Sequence, residues 1–207
     1  MNDLKNLIEN YMNKKCLFIT SADTADVANK IIMAYHGKHR VYHNLTHIMH
    51  CLEEFSEIKS NLKDPETVEI AIWFHDAVYN RFSIHNEYNS FLFAKKLLGI
   101  AEADLLDLIL STKFGKAPCN ENEKYLQDID NSILGTDLIT GFYAYDNKIR
   151  KEYYMVPDFI FVKRRLKVLS TLLCKEYIYN TDYFREKYEV QAKRNITFAI
   201  NKYITKL

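Results

Sequence analysis

The chain has 207 residues, 48% of them hydrophobic, with only five glycines and three prolines. That length can bury one sizeable core, and so few glycines leave little room for the tight turns of an all-β fold. Lys+Arg 28 against Asp+Glu 27 gives a formal net charge of +1, which argues against a general nucleic-acid binder. From the N-terminus, residues 3–15 predict an amphipathic helix with Leu4, Leu7, Ile8 and Tyr11 on one face. A second helix runs from about Ala22, capped by Ser21 or Thr20, to a stop at Gly37. Asn44 is a good cap for a third, whose buried stripe is Ile48, Leu52 and Phe55.

Asp64-Pro65 opens the next helix, a capping carboxylate followed by proline in the first turn. Its continuation over residues 71–79, Ala-Ile-Trp-Phe-His-Asp-Ala-Val-Tyr, is apolar almost all the way round. A helix of that kind belongs inside the protein. Further helices are predicted over residues 86–98 (ending at Gly99), 101–113, 121–134 (ending at Gly135), 137–154, 158–175 and 182–206. There is no internal repeat and no alternating strand pattern beyond a few residues. The reading is all-α: a single domain over residues 1–207 of roughly eight to ten helices, with a motif-bearing core at about 22–154 and a helical extension at 158–207.

Cys16, Cys51, Cys119 and Cys174 form no CxxC pair. Without a signal-peptide pattern in residues 1–15 or a run of about 18 apolar residues, they read as reduced thiols of a cytoplasmic protein. The polar residues in apolar settings carry the chemistry. His75 and Asp76 are the only strongly polar members of the 71–79 stretch, and burial of either is costly without a partner or a metal. Neighbours on a helix point about 100° apart, so one ion reaches both only from a groove. Five of the seven histidines fall between His36 and His50, and His47 lies on the helix capped by Asn44. On the helix over residues 121–134, Asp130 shares the face of Leu126 and Leu134, whereas Asp128 falls opposite and is expected to be solvated. Glu87 shares a face with Phe91, Ala94 and Leu98. Two imidazoles and two carboxylates (His47, His75, Asp76, Asp130) suit a divalent ion: Mn, Fe, Co, Ni, Zn or Mg. Cys51, one turn after His47, is expected to serve packing.

These residues form a pattern. Arg40-x-Tyr42-His43-Asn44-Leu45-x-His47, Trp73-Phe74-His75-Asp76-x-x-Tyr79, Asn86-Glu87-x-x-Ser90 and Asp128-x-Asp130-x-x-Ile133-Leu134-Gly135 follow one another, with Ile149-Arg150-x-Glu152-Tyr153 later. In that order they resemble the HD superfamily of metal-dependent phosphohydrolases, and more closely a group of small bacterial predicted members. The resemblance implies an all-α fold and one metal held by His47, His75, Asp76 and Asp130. It implies hydrolysis of a phosphate ester of a nucleotide or another small metabolite. Asp76 would orient the attacking water, Glu87 would transfer a proton, and Arg40 or Arg150, ahead of Arg81 and Lys113, would meet the phosphoryl charge. Tyr42, Tyr79 and Tyr145 are candidates to stack on a base. Relatives with two metals carry extra histidines before the last aspartate, and residues 101–116 have none, which points to a single ion. Asp104 and Asp107, beside Glu102, read as a solvated acidic face. A phosphorylated small molecule is the expected partner, with no membrane involved and a homodimer allowed. The rival readings are a non-catalytic module that binds a metal or a nucleotide, and an iron oxygenase or lyase on the same fold.

Overall fold

A computed structural model describes residues 21–99 and 103–207 of the chain. The expected helix at 3–15, Cys16 and Glu102 lie outside the described residues. Every regular element among those described is helical, so the fold is all-α. The chain forms two compact units, Met1–Leu126 and Gln127–Leu207.

The first unit is built around the helix Pro65–Phe74, whose Val68, Ala71, Ile72, Trp73 and Phe74 are all buried. It packs against the helices Leu45–Ile58, Asn86–Leu98 and Ala103–Ser111. Each end is fixed by local chemistry. The Asp64 carboxylate accepts the Thr67 amide at 3.1 Å, with Pro65 in the first turn. Asn44 accepts the Thr46 amide at 2.9 Å and so starts Leu45–Ile58. Gly99 ends Asn86–Leu98 in the left-handed region at φ 69°, which a side chain would strain. The helix Ser21–Tyr35 buries Val27, Ala28, Ile31 and Tyr35 and stops two residues before Gly37.

The sequence carries the central helix through Tyr79, but it ends at Phe74, with His75 as its C-terminal cap and Asp76 in the turn that follows. The turn is braced from far away in the chain. The buried Arg40 donates to the carbonyls of Asp76 and Ala77, both at 2.8 Å, and to that of His43 at 2.9 Å. Carbonyls held by a guanidinium are withheld from the i→i+4 ladder, so the helix does not resume past this turn.

The second unit begins within the helix Glu121–Asn131, which runs unbroken from the last residues of the first. The sequence instead sets the passage from core to extension at about residues 154–158. A 3₁₀ turn, Ser132–Gly135, follows the helix, and a Cβ on Gly135 would stand 2.4 Å from Cβ of Tyr188. Close packing, not a special φ, therefore requires glycine there. Asp137 caps a π-helical turn, Leu138–Tyr143, which leads into Ala144–Glu152. Asp158–Leu173 and Val190–Ile204 pack on one another, the latter reached through a short turn at Asp182–Phe184 and a π-helical turn at Arg185–Glu189.

The interior of this unit carries several charges, each met by donors. Asp128, expected to be solvated, is buried: this expectation is corrected. Its carboxylate accepts the amides of Asn180 (2.8 Å) and Thr181 (2.7 Å), the Asn180 side chain (3.0 Å) and the Thr181 hydroxyl (2.8 Å). Burial pushes its pKa up to about 6, and these four donors hold it from rising further. Asp146 accepts Arg165 Nε at 3.0 Å and the Tyr203 hydroxyl at 2.7 Å. Glu189 accepts the amides of Ile178 (3.0 Å) and Tyr179 (3.2 Å), and Asn195 donates to the carbonyls of Leu134 and Thr136.

Candidate metal centre

The end of the central helix and the first turns of Leu45–Ile58 bring His47, His75 and Asp76 together inside the first unit. The two Nε2 atoms stand 3.3 Å apart. Oδ2 of Asp76 lies 3.5 Å from His75 Nε2 and 3.8 Å from His47 Nε2. Both rings are buried, at 1% and 2% side-chain exposure, whereas the Asp76 side chain is 18% exposed and marks the open side. Nitrogen and oxygen ligands that share an ion at about 2.1 Å stand roughly 3.0–3.8 Å apart, for angles from octahedral to widened tetrahedral. The three separations fall in that range, so the residues fit a shared cation.

The tautomer of His75 is set by its surroundings. Its Nδ1 lies 3.0 Å from the Ile72 carbonyl, which only accepts, so Nδ1 carries a proton and Nε2 is the ligand atom. His47 rests against Cys51, whose sulfur is 3.7 Å from Nδ1, consistent with the packing role expected of this thiol. Tyr42 lies over the same ring, at 4.9 Å between centroids.

Asp130 is on the last turn of the helix Glu121–Asn131 and is half-buried. His47 and His75 each offer one ligand atom to a group that could hold a metal ion. Helical phase put Asp128 in solvent, and its burial removes that ground for choosing between the two aspartates. Asp128 leaves the solvent because this helix is covered on more than one side: Glu123, Leu126, Asp128 and Ile129 are all buried.

The other expected site residues are placed differently. Arg40, taken as a partner for phosphoryl charge, has both terminal nitrogens on backbone carbonyls and acts as the brace of the His75–Asp76 turn. Arg150 lies in the second unit, where it donates to the carbonyls of Tyr153 (2.6 Å) and Val156 (3.0 Å) and to the Asp158 carboxylate. Glu87 is half-buried in the first turn of Asn86–Leu98, with no hydrogen bond or ion pair among the described residues. Lys113 donates to the Ile84 carbonyl at 3.0 Å, and the Arg81 guanidinium stands 5.6 Å from the Phe82 ring centroid. Tyr79 stacks on His43 at 4.3 Å, while Tyr145 stands 5.1 Å from the Arg165 guanidinium in the second unit.

Two contributors went unassigned at the sequence level. Ser90 accepts the Val78 amide at 3.0 Å and donates back to its carbonyl, pinning the chain just past Asp76. Asn86 brackets Asn80 in the same way, through an amide and a carbonyl both at 2.9 Å. The signal was there: a small polar residue at an inward helix position with nothing local to bond. No family model, no curated protein and no solved structure matches the chain, and the centre is therefore read from its own residues.

Proposed function

We propose that the chain is a metal-dependent phosphohydrolase of the HD type, acting on a phosphate monoester of a nucleotide or other small metabolite. The observation that carries the reading is the convergence of His47 Nε2, His75 Nε2 and Asp76 Oδ2 within 3.8 Å of one another. The resemblance makes Asp130 the fourth ligand, with one divalent ion held per chain. A divalent ion so held supplies Lewis acidity toward a phosphoryl oxygen and a lowered pKa for water. The protein's own part is positioning. Arg40, Ser90 and the Ile72 carbonyl fix the backbone and ring that present the ligand atoms. Asp76, on the open side, orients the attacking water through its free lone pairs. Glu87 takes up or returns the proton, and the phosphoryl charge meets Arg81 and Lys113, which flank the loop past the ligand turn.

The test is elemental analysis of the purified chain joined to a phosphatase panel run with each divalent metal. One equivalent of metal is expected, with phosphate released from at least one nucleotide monoester and both lost in Asp76→Ala. Full metal content with no phosphate released from any member of the panel would instead support a binding module.

A further inference from the structure

The near-neutral total of the chain excludes a uniformly basic protein, not a basic face, and the charges are unevenly placed. Residues 127–207 hold 14 of the 28 Lys and Arg but only 10 of the 27 Asp and Glu. Burial sharpens the imbalance. Asp128, Asp146, Glu152 and Glu189 are inside, whereas Arg165 is the only buried base among this unit's described residues. The surplus is concentrated on the helix Asp158–Leu173, since residues 159–175 contain five bases and no acid. Arg165 turns inward to Asp146. Lys163, Arg164 and Lys167 are exposed, and their side chains make no hydrogen bond or ion pair among the described residues. The helix's one acid, Asp158, is held by Arg150 Nε at 3.0 Å. Phe159, 60% exposed, shares a strip with Lys163 and Lys167 at i, i+4 and i+8, in steps of about 6 Å along the axis. Beyond these, the exposed positions of the helix are Ser170 and Thr171.

What such a face takes follows from what it offers and what it lacks. A helix that lies on lipid presents an apolar side, and a protein partner needs an apolar interface core. Phe159 is the one large apolar residue exposed on this helix, so neither is supplied. A polynucleotide asks for cations along its phosphates and a ring for a base to stack on, and both are present. We infer that the outer face of the helix Asp158–Leu173 is a docking surface for single-stranded nucleic acid. Lys163, Arg164 and Lys167 meet the phosphates, and Phe159 stacks a base. The inference rests on the second unit's surface and stands whether or not the metal reading does.

The test is fluorescence anisotropy of a labelled oligouridylate and its oligothymidylate counterpart, titrated with the full chain over a series of salt concentrations. Binding is expected at low salt, with three phosphates engaged and a slope of log K against log salt of about −2. Lys163→Gln, Arg164→Gln and Lys167→Gln together should weaken it about tenfold or more and bring the slope toward zero. Lys167→Gln alone should reduce the slope by about 0.7. Phe159→Ala should cost roughly tenfold at an unchanged slope, which separates stacking from charge. Lys95→Gln with Lys96→Gln, exposed bases of the first unit, should change neither quantity. Circular dichroism confirms the fold of each variant. No binding at low salt, undiminished binding in the triple variant, or an equal loss in the Lys95–Lys96 control would overturn the proposal. So would capture of the chain by phosphatidylserine vesicles without binding to either strand. A preference for RNA adds a contact to the 2′-hydroxyl, and equal affinity leaves backbone and base alone; both results support the surface.

Discussion

Two clusters of buried charge, one in each unit, are answered in opposite ways. In the second, three carboxylates face donors: four for Asp128, a guanidinium and a phenol for Asp146, two amides for Glu189. Such groups are closed, and their arrangement accounts for itself as structure. In the first unit, two ring nitrogens and a carboxylate oxygen are turned on one another within 3.8 Å. Acceptors facing acceptors repel unless a proton or a cation stands among them. Burial alone does not separate a functional polar group from a structural one. What the group faces does.

The largest effect expected from breaking this contrast is on metal content. His75→Ala and Asp76→Ala should each take the purified chain from one equivalent of divalent metal to none by elemental analysis. Phosphatase activity should fall to background with it. A full equivalent in either variant would remove the centre from the comparison.

The second prediction sets two aspartates of one helix against each other. Asp128→Ala orphans two backbone amides, an amide side chain and a hydroxyl, and should destabilise the metal-free chain by about 3 kcal/mol in urea denaturation. Asp130→Asn should lower metal affinity at least about tenfold, as loss of a ligand does, and barely move the metal-free midpoint. If both substitutions shift stability alike, the distinction between closed and open groups fails on this helix.

Arg40→Met keeps the bulk and removes three hydrogen bonds to carbonyls. A loss of about 2–3 kcal/mol is expected, because charged donors are the stronger ones. Metal affinity should drop roughly tenfold as the ligand turn loosens. A purely phosphate-binding Arg40 would leave metal affinity in place.

The smallest effect is a slope. Burial raises the Asp128 pKa to about 6, so the native state keeps this proton to higher pH than the unfolded chain does. Its stabilising contribution is full below about pH 4 and is lost as pH rises through 6. Asp128→Asn should flatten the stability profile there by up to about 1.4 kcal/mol per pH unit.

Much of the scaffold was legible locally. Asn44 and Asp64 cap the helices that their side chains announce, and Gly99 closes the one before it. The two histidines of the candidate centre were legible too, because imidazole in an apolar stretch demands an explanation. Two features were not. The turn past Phe74 is braced by Arg40, 36 residues before the carbonyl of Asp76, and no local pattern encodes that contact. The choice between Asp128 and Asp130 assumed one buried face, and helical phase cannot see that the loop at Asn180–Thr181 covers another.

The hydrogen bond from His75 Nδ1 to the Ile72 carbonyl orients one ring of the candidate centre in advance. A ring tethered at one nitrogen cannot flip, and its other nitrogen already points where an ion would sit. Ring rotation is therefore frozen before any ion arrives, and the entropy of orienting this ligand belongs to folding, not to loading. Uptake would then be paced by the ion's release of its own water shell, and slow-exchanging cations such as Ni²⁺ would enter last.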